Sequence, residues 1–288
     1  MKPMPLALLI SSHVAASMVG GDANQCVLNA AGIETMLVPT VLYGRHPGRG
    51  APGGGIVAPE MVQSMLDGIA YEGRLDITDL VLTGYFGDAA QVFAAAGAID
   101  AVRAGRRILD NKPAFRETPL IIIDPIMGDA PEGLYVAPQI ATAIRDQLVP
   151  RADLVTPNVF ELGHLTGRTL TDLASMISAA QSLGRPALVS SLPRQGRIGV
   201  MYVSEGESWI VTHDRCPTAP KGTGDALTAS FAAALLAGAD PKAALESSVA
   251  AVVSLVIRAN EGGHTELSLV AAAAMPHDPI IRLSAEPL

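Results

Sequence analysis

Cysteine is nearly missing from this chain. Cys26 and Cys216 are the only two in 288 residues, too few for a disulfide framework, and neither has a Cys or His partner at metal-site spacing. A reducing cytoplasm is the expected compartment. Basic charge is scarce too: 20 Lys and Arg against 28 Asp and Glu leave a formal net charge of -8, which speaks against a surface built for nucleic-acid backbones or anionic lipid. Any bound phosphate must be held locally. Long apolar runs are absent. Nothing approaches the ~18 residues of a bilayer span, and Leu6 to Ile10, after Lys2, is shorter than a secretory core and meets Ser11, Ser12 and His13 at once. It reads as a first buried strand. With 17% charged residues the chain is neither a disordered polyelectrolyte nor a coiled coil.

What is present is 49% hydrophobic, interrupted at short intervals by 28 Gly and 21 Pro. Apolar runs recur at Leu6 to Ile10, Thr35 to Val41, Asp79 to Thr83, Leu120 to Ile123, Leu154 to Thr156 and Ala187 to Ser190. Helix-period stretches lie between them: Asp22 to Ala31, Pro59 to Ile69, Ala89 to Leu109, Pro138 to Gln147, Asp172 to Leu183, Asp225 to Leu236 and Pro241 to Arg258. Continuous Val, Ile and Leu in the runs suits strands covered on both faces, so the alternation predicts βαβ units in a three-layer α/β/α sandwich with a mostly parallel sheet. Gly199 to Val203 and Ser208 to Thr212, joined by Ser-Glu-Gly-Glu, predict a hairpin added at the sheet edge. No linker or repeat divides the chain, and residues 1–288 are expected to form one domain. The most irregular part is Tyr43 to Gly55, either a solvated loop or a flap over a site.

Ligands of open α/β sheets bind beyond the carboxyl ends of the strands, which directs attention to Ser12, Thr83 to Tyr85, Asp124, Asn158 and Ser190. The most informative stretch is Pro220-Lys221-Gly222-Thr223-Gly224-Asp225, which opens into an Ala-rich helix. Two glycines at a helix start let backbone amides converge on an anion. A carboxylate there is repelled by the anion unless it has a task, and taking the proton of an attacking hydroxyl is one; capping the helix is the other. Local sequence leaves both readings standing. The turn is not a Walker A loop, since no Gly-x-x-x-x-Gly-Lys-Ser/Thr occurs in the chain, nor a dinucleotide fingerprint, since Leu227 stands where a third Gly would be needed. A second constellation is Asp124-Pro125-Ile126-Met127-Gly128-Asp129 with Thr156-Pro157-Asn158-Val159-Phe160-Glu161. Asp124, Asp129 and Glu161 are candidates to hold Mg²⁺ directly or through its waters. Turn punctuation and helix capping are the plainer uses of Asp124 and Asn158.

Together these residues resemble the pyridoxal kinases of the ribokinase superfamily, over nearly the whole chain. The likeness rests on Ser12-His13-Val14 with Val19-Gly20, on Gly84-Tyr85-Phe86-Gly87, on Asp124 to Gly128, on Thr156 to Glu161 continued by Leu165-Thr166-Gly167, and on Gly222 to Asp225. The resemblance implies ATP-dependent phosphorylation of the 5′-hydroxymethyl group of a vitamin B6 vitamer. It implies Asp225 as base and the amides of Gly222, Thr223, Gly224 and Asp225 as anion hole. Ser12, Val19, His46 and Tyr85 would meet the substrate; Asp124, Thr156, Glu161 and Ser190 would belong to the ATP and Mg²⁺ side, with Asp129 as a further metal candidate. A monovalent cation such as K⁺ and a homodimer are further expectations of the likeness. One segment departs from the family: Arg45-His46-Pro47-Gly48-Arg49-Gly50 stands where members usually read Asn-His-Thr-Gly-Tyr-Gly, so a hydroxyl is gone and vitamer preference is open. Arg45 and Arg49 could reach phosphate on closure, though solvated arginines are the default. The rivals are a hydroxymethylpyrimidine kinase of the same fold, which usually carries Cys at the Asp225 position, a sugar kinase, and a vitamin B6 carrier without turnover.

Overall fold

The computed structural model describes residues 4–109, 112–267 and 280–288; Lys2 lies outside them. The first half runs β1 (Leu6–Val14), α1 (Gly21–Ala30), β2 (Glu34–Tyr43), β3 (Gly54–Ile56), α2 (Pro59–Tyr71), β4 (Leu80–Thr83) and α3 (Ala89–Ala104). A small ribbon, β5 (Ile108–Leu109) with β6 (Lys112–Pro113), leads to β7 (Leu120–Ile123). A second ribbon, β8 (Gly128–Asp129) with β9 (Gly133–Leu134), precedes α4 (Pro138–Ala143), β10 (Leu154–Val155), α5 (Val159–Thr166) and α6 (Leu173–Ser182). The rest comprises β11 (Ala187–Arg194), β12 (Arg197–Val203), β13 (Ser208–Asp214), α7 (Thr223–Leu236), α8 (Pro241–Glu261) and β14 (Glu286–Pro287).

Ten strands form one sheet in the order β14-β13-β12-β11-β10-β7-β4-β1-β2-β3. The six from β11 to β2 are parallel; β3 pairs antiparallel on one edge, and β12, β13 and β14 are added by successive antiparallel pairings on the other. The expected hairpin is β12–β13, with β14 outside it. Strand pleating divides the core: Ile122 joins residues of α1, α7 and α8, whereas Ile121 and Ile123 join those of α2, α3 and α4. All three are fully buried, and each such side chain contributes about 1.5–3 kcal/mol. A third cluster lies under α5 and α6. The result is the predicted sandwich. By length and composition α8 could cross a membrane, but its residues Ala244, Leu245, Val249, Val252, Val253 and Leu255 belong to the core.

Three local expectations need correction. Helix α3 stops at Ala104 rather than Leu109, because Gly105 is extended (φ −59°, ψ 147°) and Arg107, at φ +59°, turns back to donate to Asp79 Oδ1 at 2.6 Å. Helix α4 ends at Ala143 in a wide turn over Ile144–Leu148 ahead of Pro150. Helix α5 was not expected. It is short, holds Gly163, and is started by a capping box: Asn158 Oδ1 accepts the Glu161 N–H at 2.9 Å, and Glu161 Oε2 accepts the Asn158 N–H at 2.9 Å.

Candidate active site

The parallel strands all point their carboxyl ends at one cavity of about 710 Å³. Ser12, Val19, His46, Tyr85, Asp124, Asp129, Thr156, Glu161, Ser190, Gly222, Thr223, Gly224 and Asp225 all line it. These thirteen are brought together from segments as far apart as β1 and α7, whereas Thr83, Gly84, Arg45 and Arg49 are not among the lining residues.

One wall is the start of α7. Gly222 precedes the helix at φ +90°, a backbone angle that favours glycine, and no side chain caps the helix. A Cβ on Gly222 would lie 2.6 Å from the Met18 carbonyl oxygen, whereas one on Gly224 would meet nothing within 4 Å. Gly222 is thus required by the protein itself, and the bare backbone at Gly224 faces open space suited to a ligand. Asp225 sits inside the first turn, so the capping reading fails. Its side chain is buried, with 9% exposure, and desolvation raises its pKa, opposed by hydrogen bonds from the amides of Gly20 and Asp225 itself. Its Oδ1 is buried with no hydrogen-bonding partner among the described residues. A buried polar atom left unpaired costs stability, and here that atom belongs to a carboxylate beside helix amides that no side chain caps.

The opposite wall is acidic. Asp124 follows β7 and is raised well above the usual carboxylate range by burial, then by Glu161 and Asp225, with bonds from Thr228 and Thr156 opposing. Glu161 is raised to about 8, chiefly by burial, although its carboxylate accepts backbone N–H bonds from Met127 at 3.0 Å and from Asn158. It therefore caps α5 and faces the cavity at once. Asp129 is exposed and accepts the Ala130 N–H at 2.8 Å. The Tyr135 hydroxyl, on a residue 51% exposed, is pushed up by partial desolvation and then by Glu161, Asp124, Asp225 and Asp129, in keeping with four carboxylates near one another. Among the described residues no three His, Cys, Asp or Glu groups form a ready-made metal site. The surplus negative charge instead fits an ion that takes one or two carboxylates, keeps its waters and shares the phosphates of a nucleotide, as Mg²⁺ does.

Ser190 reaches the cavity at an irregularity: the β11–β12 register breaks between Val189 and Leu192, and Ser191 has φ +63°. Such bulges re-aim side chains next to sites. Ser12 packs under Gly20, where any Cβ would run into the Ser12 hydroxyl. The segment Tyr43 to Gly55 is a ribbon continuing β2 and β3, with Tyr43 paired to Gly54, and carries a tight turn at Pro47–Arg49. His46 Nδ1 accepts the Gly48 N–H at 3.0 Å; burial, Lys221 and Arg49 lower its pKa against the pull of Glu266, which favours the neutral ring. Arg49 is engaged by Glu266 at 2.9 Å, and Arg45 donates to the Ala51 carbonyl.

Sequence reasoning missed Thr228, Tyr135, Glu132 and Tyr43. Thr228 had a signal, standing three residues after Asp225 on the same helix face. The other three sit on or beside ribbons whose cavity-facing side no periodicity reveals.

An open α/β sheet with a buried carboxylate, uncapped helix amides and an acidic wall at its carboxyl end suits the ribokinase-like class of small-molecule kinases. A family model described as phosphomethylpyrimidine kinase matches residues 88–269. The chain is 36% identical over 271 residues to pyridoxal kinase PdxY of Leifsonia xyli subsp. xyli, spanning 91% of this chain and 92% of that protein. It is 34% identical over 279 residues to pyridoxal kinase PdxY of Deinococcus radiodurans, spanning 92% and 90%. The solved structure of Leishmania donovani pyridoxal kinase in complex with ADP and pyridoxamine matches with a TM-score of 0.87 at 25% identity, over 98% of this chain and 99% of that one. The chain belongs to the pyridoxal kinase family of the ribokinase-like superfamily, and it is a kinase.

Proposed function

We propose that this enzyme transfers the γ-phosphoryl group of ATP to the 5′-hydroxymethyl group of pyridoxal, pyridoxamine or pyridoxine, with Asp225 as general base. The observation that carries this reading is the unpartnered, buried Oδ1 of Asp225 beside helix amides that no side chain caps. The carboxylate takes the proton of the attacking hydroxyl, and the amides of Gly222 to Asp225 stabilise charge on the transferring group. Phosphoryl transfer asks for positioning and charge stabilisation above all. Ser12 meets the polar edge of the pyridine ring, Val19 and Tyr85 its faces, and His46 closes over it from the flap. Asp124, Thr156, Glu161 and Ser190 serve the nucleotide.

The family's chemistry calls for a divalent cation. We take it as Mg²⁺, held by Asp124, Glu161 or Asp129 directly or through water, where it would neutralise phosphate charge against the acidic wall. K⁺ is a further candidate. A single domain is supported by the one continuous sheet. A homodimer in the cytoplasm remains the reading of the family likeness.

An ADP-release assay with the three vitamers, with hydroxymethylpyrimidine and with no acceptor tests the proposal. ADP formation with a vitamin B6 vitamer supports it. The family model's description gives the rival: turnover of hydroxymethylpyrimidine alone moves the chain to that activity. Tight pyridoxal binding without ADP indicates a carrier.

A further inference from the structure

Three segments that line the cavity, the flap tip at His46 to Gly48, the turn at Val19 and Gly20, and the stretch Ala219 to Asp225, meet at a carboxylate that does not line it. Glu266 Oε1 accepts from the Ser17 hydroxyl at 2.7 Å, and Oε2 from the Met18 N–H at 3.3 Å. The Arg49 guanidinium lies 2.9 Å from Oε1 and donates as well to Thr265 Oγ1 at 2.9 Å. The backbone of Glu266 is bridged to Lys221, the residue before the anion turn. One residue thus joins the three: its side chain ties the β1–α1 turn to the flap, and its backbone bridges to the anion loop.

The flap needs such a tie. Gly50, Gly53 and Gly54 all have positive φ, so its backbone gains little rigidity from its own residues. At the tip, among the described residues, the Arg45 and His46 side chains bond only within the flap, and the side-chain bonds from residues 46–50 to the body of the protein come from Arg49. We propose that Glu266 is a positioning residue for the kinase reaction: by clasping Arg49 it holds the flap, and with it His46, closed over the vitamer and beside the anion loop. This rests on the kinase reading above. It also gives Arg49 a role other than contacting phosphate. The Arg49 side chain is 44% exposed and that of Glu266 19%, so the clasp is of moderate strength and screened by salt.

The test uses the full chain with Glu266→Gln, Arg49→Met and the double variant. Expected are a rise of roughly fivefold in the vitamer KM for each single variant, kcat within about twofold of wild type, and a double variant no worse than Glu266→Gln alone. Limited trypsin digestion should cut faster after Arg45 in all three while Tm stays at the wild-type value. Unchanged vitamer KM and unchanged cleavage in Arg49→Met, or additive effects in the double variant, overturn the clasp. Because Arg49 is the more exposed of the pair, Arg49→Met keeps the test open even where Glu266→Gln folds poorly. An absence of vitamer turnover in the wild type counts against the kinase reading, and the digestion arm still reads the clasp.

Discussion

Thr228 Oγ1 lies 3.1 Å from Oδ2 of Asp124 and 3.1 Å from Oγ1 of Thr156, so a single hydroxyl on α7 joins the ends of β7 and β10. All three side chains are buried. The helix that offers its amides and Asp225 to one side of the cavity thereby also sets the acidic wall on the other. The two parts of the site are thus joined directly through one buried side chain.

Thr228→Val keeps the shape of the side chain and removes that joint. Asp124 then loses a bond that favours its ionised form, at about 1–3 kcal/mol of stability for a buried acceptor left short of a partner. The expected result is a lower Tm and a rise of roughly fivefold in the ATP KM, with the vitamer KM unchanged. Steady-state kinetics with each substrate varied in turn measures it.

The two glycines of the anion turn should respond in opposite ways. Gly222→Ala places a methyl against the Met18 carbonyl at a positive φ and should destabilise the protein by about 1–3 kcal/mol. Gly224→Ala meets no protein atom, so Tm should hold while kcat falls by roughly a hundredfold through obstruction of the phosphoryl site. Thermal melts and ADP release on the same preparations separate the two effects.

Burial of the acidic wall makes stability depend on pH. Glu161 rises from 4.5 to about 8 on folding, and Asp124 and Asp225 also rise, so the folded state holds protons that the unfolded chain has released. The stabilisation is complete below the unfolded values and is lost as pH climbs through the folded ones. Tm of the ligand-free enzyme should therefore fall between about pH 5 and about pH 8.5, and Glu161→Gln should flatten the slope. Mg²⁺ and ATP favour the ionised carboxylates, so their binding should release protons. Calorimetry near neutral pH in buffers of different ionisation enthalpy detects that release as a buffer-dependent heat.

Much of this arrangement was legible in the letters. Doubly buried strands such as Leu120–Ile123 have the composition of a covered parallel sheet, and the two glycines of the turn Gly222 to Asp225 marked a bare backbone at a helix start. Glu161 was legible only in part: its residue type named it as a ligand candidate, while its partnership with Asn158 in a capping box was hidden by the shortness of α5. Thr228 was legible only through its spacing from Asp225, and Glu266 not at all, since their bonding partners lie 104 and 249 positions away. Local spacing carries no trace of contacts at that range.

The central claim is that Asp225 removes the proton of the attacking alcohol, and rapid-quench single-turnover kinetics of Asp225→Asn with saturating Mg²⁺, ATP and pyridoxal tests it most directly. The account predicts a phosphoryl-transfer rate lower by a hundredfold or more (on the order of general-base losses), with ATP affinity unchanged and Tm at or above wild type, since a desolvated charge has been removed. Near-native transfer by that variant would contradict it.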